Sequence, residues 1–234
     1  MSQKLPNIEI LFEDNHLIVV NKRSGDLVQG DKTGDKPLID LVKEYIKIRE
    51  NKPGDVFLGS PHRIDRPTSG IVVFTKTSKA LTRMNKMFHD KEIQKTYWAI
   101  VKNKPAKPSD TIVHYLKKNN VKNKSMAYSH EYKDAKRSEL IFNIKYKFNN
   151  YYLLDIKPLT GRHHQIRVQL STIGCPIKGD LKYGFNRSNP DASISLHARK
   201  IEFIHPVKKE PFSLVARPNP EDPLWKEAGD LFED

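Results

Sequence analysis

A run of alternating apolar residues in the second half of the chain constrains the fold more than any other feature. Apolar side chains occupy every second position from 140 to 148, as Leu140, Phe142, Ile144, Tyr146 and Phe148. This period of two predicts a half-buried β-strand. Asn149-Asn150 suits a two-residue turn, after which residues 151–156 return as the partner strand. The predicted antiparallel hairpin argues against an all-parallel, doubly wound fold.

Charge is the next constraint. The chain of 234 residues carries 41 Lys and Arg against 28 Asp and Glu, for a net charge of +13. A balance this basic favours a polyanionic partner, with nucleic acid ahead of a membrane surface. A merely soluble basic protein is the alternative. The length fits one large domain or two small ones, with a sizeable core.

Cysteine and histidine usage narrows the location and the chemistry. The single Cys175 excludes an internal disulfide, fits a reducing compartment and leaves no Cys-based zinc cluster. The nine His show no metal-binding spacing, so we predict no metal site. The N-terminus lacks the apolar core of a signal peptide, and no apolar run approaches membrane-spanning length. We therefore expect a cytoplasmic protein with no membrane partner and no obligate protein partner, monomeric by default.

Short periodic segments predict the remaining elements. Residues 8–12 and 17–20 read as a hairpin. Residues 37–49 carry apolar side chains with helical spacing and predict an amphipathic helix. Ser78 is the predicted N-cap of a second helix. Residues 95–101 predict a strand by composition.

The most basic segment spans residues 102–124. This segment contains seven lysines and only one acid, Asp110. Tyr115 lies within the segment and Tyr128 lies near it. Prolines and asparagines prevent one long helix. Contact with phosphates and unstacked bases is one interpretation; a solvated lysine-rich loop is the other.

Charged and polar side chains that could take part in catalysis occur together in one stretch, Pro61-His62-Arg63-Ile64-Asp65-Arg66-Pro67-Thr68-Ser69-Gly70. It places the carboxylate of Asp65 between two guanidiniums, which favour the charged form and lower its expected pKa. Pro67 and Gly70 indicate irregular backbone, and residues 71–74 read as a buried strand. Asp65 is thus expected on a constrained loop that leads into a core strand. Catalytic and binding residues are often located on such loops. A salt-bridged surface turn is the alternative.

Arg167 is a second candidate. Ile166, Leu170 and Ile173 have helical spacing and predict a short helix that ends at Gly174. Arg167 lies beside this apolar face, so its guanidinium is expected to be partly buried. A buried Arg needs a carboxylate partner, and Asp65 is the one we favour.

The stretch from His62 to Gly70 closely resembles the motif His-Arg-Leu-Asp-x-x-Thr-Ser-Gly of the RluA-type RNA pseudouridine synthases, with Ile64 as the only departure. Three further blocks match in order: Glu-Asp-x-x-Leu-Ile-Val-Val-Asn-Lys, Lys-x-Tyr-x-Ala-x-Val and Thr-Gly-Arg-x-His-Gln-Ile-Arg-Val, which begin at residues 13, 95 and 160. Arg23 and Gln169 stand where the family usually has Pro and His. The resemblance spans about residues 8–217.

The resemblance implies an α+β fold with a mixed, mainly antiparallel sheet flanked by helices and loops. It implies a single catalytic domain over residues 1–234, with its motif-bearing core in 8–217. Seven residues before the first strand leave no room for the S4-type domain of many relatives, so the catalytic domain is expected to supply all the RNA affinity. The acidic tail, residues 218–234, is expected to be a surface appendage that does not touch RNA.

The resemblance also implies an isomerase that converts uridine in rRNA or tRNA to pseudouridine, with no cofactor and no metal. The base is cut from C1′, rotated and rejoined through C5. Asp65 is implied as the catalytic carboxylate, either nucleophile or base, Arg167 as its partner, and Tyr97 as the active-site aromatic. A buried strand aromatic is the alternative role for Tyr97.

Three more residues are implied in substrate binding. Arg63 would fill the gap left by the flipped nucleotide, unless it only contacts a phosphate. His62 would assist binding in the same motif. Leu196, in a Leu-His-Ala strand typical of the family, would pack against the target base, although core packing explains any strand Leu. His164 and Gln165 are expected to orient their loop rather than transfer protons.

Two other functions stay open. One is a non-catalytic RNA-binding or ribosome-assembly protein on the same fold, although Asp65, Tyr97 and Arg167 are all present. The other is a basic hydrolase or nuclease that uses Asp65. Such enzymes normally cluster carboxylates around a metal, and no second acid lies near the motif.

Overall fold

The computed structural model describes residues 5–31 and 33–232. Within these residues the chain forms ten β-strands and four α-helices. The strands are β1 (Glu9–Glu13), β2 (Leu17–Lys22), β3 (Ser69–Thr75), β4 (Gln94–Val101), β5 (Ser109–Asn119), β6 (Lys124–Tyr128), β7 (Lys136–Lys147), β8 (Tyr152–Pro158), β9 (Leu196–Ile204) and β10 (Pro211–Val215). The helices are α1 (Leu38–Arg49), α2 (Ser78–His89), α3 (Gln165–Thr172) and α4 (Pro223–Leu231). None of the helices in the described part is long and apolar enough to cross a membrane.

The chain divides into two compact units. The first unit holds the residues up to Gln94 together with Lys200–Arg217, and the second holds Lys95–Arg199 with the residues from Pro218 onward. Strand β9 therefore has residues in both units. The prediction of a single catalytic domain over residues 1–234 remains a prediction.

The first unit is built on antiparallel strands. β1 pairs with β2, and β2 pairs with β3, which confirms the predicted N-terminal hairpin. β10 pairs with residues 200–204 of β9. The core of this unit combines apolar side chains of the strands and of α2, including Leu17, Val19, Ile71, Val73, Met84, Met87, Ile201 and Phe203. The methionines of α2 therefore fill a core, as their helical spacing predicts.

The two helices of the first unit begin where polar or proline residues interrupt the chain. α1 follows Pro37 directly and buries Leu38, Val42 and Ile46, so the predicted amphipathic helix is confirmed. The predicted N-cap of α2 is wrong by one residue. Thr77 is the cap, because its hydroxyl accepts a hydrogen bond from the Ala80 N–H at 3.2 Å. Adjacent Thr and Ser both suit a cap, so composition alone does not choose between them.

The second unit contains an antiparallel sheet with the strand order β4-β8-β7-β5-β6. The predicted β7–β8 hairpin is confirmed, and it closes where the Phe148 N–H donates to the Tyr151 carbonyl at 2.9 Å. α3 ends as predicted: Gly174 has φ +78°, and the Cys175 N–H returns to the Leu170 carbonyl at 2.9 Å. This is the left-handed glycine terminator of a helix.

A β-bulge divides the alternating run of β7 between the two faces of this sheet. Ile144 pairs with Leu154, whereas Tyr146 pairs with Leu153, so the register shifts at Lys145. Neighbouring residues of a strand point to opposite faces, and one extra residue reverses the pattern. Ile144 accordingly packs on the cluster that includes α3, and Tyr146 packs on the cluster that includes α4. Around β7 and β8, each face of the sheet is thus covered by one helix.

The acidic tail is not a surface appendage, and that expectation is wrong for residues 218–232. α4 buries Trp225 and Ala228 against Trp98 and Phe148. Asp222 caps the helix by accepting from the Leu224 N–H at 2.9 Å. Glu227 and Asp230 of α4 are exposed, whereas the buried Trp225 and Ala228 at helical spacing anchor the helix.

Candidate active site

Asp65 opens a tight turn formed by residues 65–68. The Thr68 N–H donates to the Asp65 carbonyl at 3.0 Å and closes it. Ile64, only 7% exposed, anchors the turn in the core. Arg63 is exposed and Asp65 is partly buried. The backbone that carries Arg63 and Asp65, which the sequence predicts to bind RNA and to catalyse the reaction, is therefore anchored in the core by Ile64.

A buried lysine clamps this turn. Lys22 is 1% exposed, and its ammonium group donates to the carbonyl oxygens of Arg23 at 2.8 Å, Asp26 at 2.8 Å and Arg66 at 3.0 Å. An ammonium has three donors, so this arrangement uses all of them. Burial lowers the pKa of Lys22 to about 8, although the carboxylates of Asp26 and Asp65 act in the opposite direction. The sequence revealed no such role for Lys22.

The segment after Lys22 wraps the same turn. The Gly25 N–H donates to the Arg66 carbonyl, and the Arg66 Nε donates to the Gly25 carbonyl, each at 2.9 Å. Ser24 Oγ donates to the Pro67 carbonyl at 2.9 Å. Gly25 has φ +93°, a conformation that favours glycine. Arg66 also forms an exposed ion pair with Asp35 at 2.7 Å, so its guanidinium is engaged by the wrapping segment and by Asp35.

His62 fixes the other end of the motif. Its Nε2 accepts a hydrogen bond from the Val73 N–H of β3 at 2.9 Å, which places the ring proton on Nδ1. The ring stacks on Phe88 of α2, with 4.8 Å between centroids. These contacts give His62 a positioning role in the first unit. Its predicted contact with substrate is not tested by them.

Arg167 is buried in the second unit, as predicted, with 4% exposure. Its Nε and Nη2 donate to the two carboxylate oxygens of Asp180 at 2.7 and 2.9 Å, and Asp180 is 1% exposed. The guanidinium carbon also lies 5.1 Å from the centre of the Tyr183 ring. Sequence reasoning missed Asp180 as a partner. The favoured pairing of Arg167 with Asp65 remains a prediction.

Gln165 organises the loop before α3. Its Oε1 accepts from Thr160 Oγ1 at 2.8 Å and from the Arg162 N–H at 3.0 Å. Its Nε2 donates to the Glu139 carbonyl at 3.0 Å. The side chain is 5% exposed, so every polar atom is used within the protein. The expected orienting role of Gln165 is confirmed.

His164 is held neutral. It adopts a left-handed conformation with φ +54°, and its Nδ1 lies 2.9 Å from the Tyr183 hydroxyl. Burial, together with the positive charge of Arg167, lowers the pKa of His164 to about 2. The Tyr183 hydroxyl accepts from the Ser125 N–H at 2.8 Å, which leaves its proton for the imidazole. A neutral acceptor ring in this network agrees with the expected orienting role.

Tyr97 and Leu196 meet in one apolar cluster of the second unit. Tyr97 lies on β4 opposite Ile156 and is partly buried against this cluster. Leu196 is 4% exposed within it, beside Ile166 and Leu170 of α3. The helix that carries Arg167 thus packs on the residues beside Tyr97. Core packing accounts for Leu196, and its contact with a base remains a prediction.

Metal-binding groups are not clustered in the described ranges. Among residues 5–31 and 33–232, no set of three or more His, Cys, Asp and Glu side chains could hold a metal ion. Cys175 is buried, and burial raises the pKa of its thiol.

The chain also matches a known family. The sequence model of the RNA pseudouridylate synthase family matches residues 16–172, which include Asp65, Tyr97 and Arg167. The chain belongs to this family, whose members isomerise uridine in RNA, and the RluA-type resemblance of its motifs is confirmed.

Named relatives cover most of this chain. It is 37% identical over 204 residues to the ribosomal large subunit pseudouridine synthase C of Buchnera aphidicola subsp. Acyrthosiphon pisum, which covers 84% of this chain and 63% of the relative. It is 34% identical over 213 residues to the protein of that name from Vibrio vulnificus, with 88% and 64% covered. It is 31% identical over 229 residues to the tRNA pseudouridine synthase C of Pectobacterium carotovorum subsp. carotovorum, with 90% and 59% covered. The chain therefore spans a little under two thirds of the length of these relatives.

Solved structures confirm the fold. Human RNA pseudouridylate synthase domain containing 4 superposes with a TM-score of 0.76 at 22% identity, covering 94% of this chain and 92% of that one. Human RNA pseudouridylate synthase domain containing 1 gives 0.70 at 23% identity, with 95% and 88% covered. The predicted α+β class with mainly antiparallel strands is thus correct.

Proposed function

We propose that this chain converts specific uridines in RNA to pseudouridine. The observation that carries the proposal is the clamped turn of Asp65, which presents the family motif, with Ile64 as its one departure, on a backbone held by Lys22 and His62. In the reaction the N1–C1′ bond of a flipped uridine breaks and C5 bonds to C1′. The C5 proton leaves and N1 gains a proton, so the product is an isomer and no co-reactant is consumed.

Three side chains carry the chemistry in this proposal. Asp65 acts on the sugar or the base, as nucleophile or as base, and either role needs it ionised. Arg167, permanently charged and buried, is the partner of Asp65 that the family resemblance implies. Tyr97, on the rigid strand β4, stacks on the uracil ring and assists proton transfer at the sugar.

Substrate binding requires that the uridine leave its stack, at a cost of a few kcal/mol. Arg63 is exposed and fills the space that the flipped nucleotide leaves. Leu196 packs against the base from the apolar cluster that also holds Tyr97. His62 supports Arg63 and Asp65 through its bond to the Val73 N–H.

The substrate class follows from charge and from the relatives. A net charge of +13 suits a polyanion. The relatives are named for the ribosomal large subunit and for tRNA, so uridines in these two RNAs are the proposed targets. In this proposal the protein acts in the cytoplasm as a monomer, with no cofactor.

Release of tritium tests the proposal. Large-subunit rRNA and tRNA labelled with tritium at uridine C5 are incubated with the protein and a chelator. Because rejoining through C5 expels that tritium, release from either RNA supports the isomerase, and mapping of the modified position identifies the substrate. RNA binding without release from either substrate would support a non-catalytic RNA-binding protein instead, and cleavage without release would support a nuclease.

A further inference from the structure

The segment between the family motifs that begin at residues 95 and 160 forms a sheet surface with one open face. Leu116 of β5 and Ser125 of β6 point inward and are 5% and 2% exposed. The side chains that alternate with them point outward, because neighbouring strand residues face opposite sides. The cross-strand pairs Tyr115–Tyr128, Lys117–Met126 and Tyr115–Arg137 place these residues on that outer face.

The outer face is apolar and aromatic as well as basic. Val113, Met126 and Tyr132 are 37%, 42% and 46% exposed, and Tyr115 and Tyr128 lie between them. Three large apolar side chains exposed together on one surface indicate a contact site rather than scattered exposure. Of the two interpretations of residues 102–124, the lysine-rich loop does not describe residues 109–119, because these form β5.

A pair of stacked tyrosines dominates this face. The rings of Tyr128 and Tyr132 are parallel within 5°, with 4.1 Å between centroids. The Tyr132 carbonyl accepts from the Ala135 N–H at 2.9 Å, which closes the turn that carries it. The Lys117 ammonium lies 5.6 Å from the Tyr132 centroid and donates to the Lys133 carbonyl at 3.2 Å. The Tyr132 ring is thus fixed in orientation and remains almost half exposed.

The charge around the tyrosines indicates which kind of partner binds the outer face. Residues 113–139 contain seven Lys and Arg against three acids. Protein interfaces are depleted in lysine, whereas sites for single-stranded nucleic acid combine basic side chains with aromatic rings on which bases stack. Lys133 is exposed next to Tyr132, and Lys117 lies on the outer face opposite Met126. The composition of this face therefore favours RNA over a protein.

We infer that the Tyr128–Tyr132 stack is an RNA-base platform, distinct from the residues of the family motifs. An unstacked base of a single-stranded RNA segment lies on Tyr132, and the flanking lysines contact its phosphates. Every base has a π-face, so the platform accepts any base. The inference rests on the proposed function for its ligand class, because the substrate of an RNA-modifying enzyme supplies the strand.

Binding of a labelled RNA tests the platform without any turnover. The probe is a fluorescein-labelled single-stranded oligouridine, and its anisotropy is followed with wild type, Tyr132→Ala, Tyr132→Phe and Phe57→Ala. Tyr132→Ala is expected to raise Kd about tenfold because one stacking contact is lost. Tyr132→Phe keeps the ring and is expected to match wild type. Phe57→Ala removes an equally exposed aromatic (49%) of the first unit and serves as the matched control.

A second probe separates stacking from charge. On a strand of abasic ribose, wild type and Tyr132→Ala are expected to bind equally, since no base is present to stack. An equal loss on both strands, unchanged oligouridine affinity in Tyr132→Ala, or a wild type that does not bind oligouridine overturns the platform. So does a dimer in sedimentation that Tyr132→Ala dissociates while RNA affinity is unchanged.

The platform and the catalytic proposal fail in different ways. If the chain releases no tritium from uridine but shows the expected pattern with oligouridine, the platform stands and the isomerase fails. If the chain releases tritium while Tyr132→Ala binds normally, the isomerase stands and the platform fails. Tyr132 is exposed, so equal melting temperatures for wild type and Tyr132→Ala are expected to show that folding is unaffected.

Discussion

The ammonium group of Lys22, at the end of β2, donates a hydrogen bond to the carbonyl oxygen of Arg66, 3.0 Å away in the turn of Asp65. Two further carbonyls, of Arg23 and Asp26, complete its donors. The backbone beside the proposed catalytic carboxylate is thus held by a buried charge. This explains how a polar loop keeps one conformation without a regular element of its own.

Replacement of Lys22 tests this clamp. Lys22→Met keeps the volume of the side chain but removes the ammonium donor from three carbonyl groups, of which the Arg66 carbonyl retains the Gly25 N–H. Because hydrogen bonds to charged groups contribute more than neutral ones, we expect the free energy of unfolding to fall by about 2–4 kcal/mol in urea denaturation. Lys79→Met, at an exposed position of α2, is the control and is expected to change stability by less than about 0.5 kcal/mol. Equal effects of both variants would contradict the clamp.

The buried pair of Arg167 and Asp180 gives a second prediction. Asp180→Asn removes the buried carboxylate that accepts from Nε and Nη2 of Arg167, and we expect a loss of about 3–5 kcal/mol in the free energy of unfolding. The double variant Arg167→Met/Asp180→Leu removes both charges and is expected to regain most of that stability while lacking tritium release. Glu44→Gln, in an exposed pair with Lys36, is the control and should cost less than about 1 kcal/mol. Wild-type stability in Asp180→Asn would refute the buried pair.

Alanine substitution at two glycines with similar φ angles distinguishes the cost of backbone strain from the cost of a steric clash. Gly174 (φ +78°) has open space where a Cβ would stand, whereas a Cβ on Gly179 (φ +87°) would lie 2.6 Å from the Ser193 carbonyl oxygen. Gly174→Ala is expected to cost about 1–2 kcal/mol from the left-handed backbone alone. Gly179→Ala adds a clash that costs about 1–3 kcal/mol more. Thermal unfolding of both variants measures the difference, and equal losses would contradict the close approach.

His164 predicts a pH dependence of stability. Its pKa is about 2 in the folded protein, against 6.5 for an ordinary histidine. Between these values the unfolded chain binds the proton and the folded protein does not, so stability falls as the pH drops below about 6.5. His164→Asn tolerates the left-handed backbone and does not titrate.

The measurement is the difference in unfolding free energy between wild type and His164→Asn. Wild type is expected to lose about 2 kcal/mol relative to this variant between about pH 7 and pH 5. His130→Asn removes an exposed histidine and is expected to follow wild type. A difference that stays constant with pH would show that folding does not lower the pKa of His164.

Periodicity in the sequence predicted those helices and strands in which apolar side chains recur at one constant spacing. α1 follows from the spacing of Leu38 and Val42, and the β7–β8 hairpin from its alternation and its Asn-Asn turn. The bulge at Lys145 leaves that alternation intact, so the sequence did not show that the run changes faces. The β5–β6 hairpin was missed because lysine and asparagine are rare in strands, while Leu116 and Ser125, which bury its inner face, form no long apolar run.

In the candidate site, too, some residues could be predicted from the sequence and others could not. Motif residues that are adjacent in sequence, such as His62, Arg63 and Asp65, could be assigned together. Their supports could not, since Lys22 reaches Arg66 across 44 positions, and Asp180 reaches Arg167 across 13. No periodic pattern links such residues. Only the folded backbone brings these buried charges within hydrogen-bonding distance.

In the proposed reaction Asp65 is the catalytic carboxylate, and the rate of tritium release from C5-labelled RNA tests this role. Asp65→Ala is compared with Asp35→Ala, which removes the exposed carboxylate that pairs with Arg66. Asp35→Ala is expected to stay within about fivefold of wild type, because an exposed ion pair contributes at most about 1 kcal/mol. Asp65→Ala is expected to release no tritium above the blank while it binds the RNA normally. Release by Asp65→Ala at the wild-type rate would contradict the assignment.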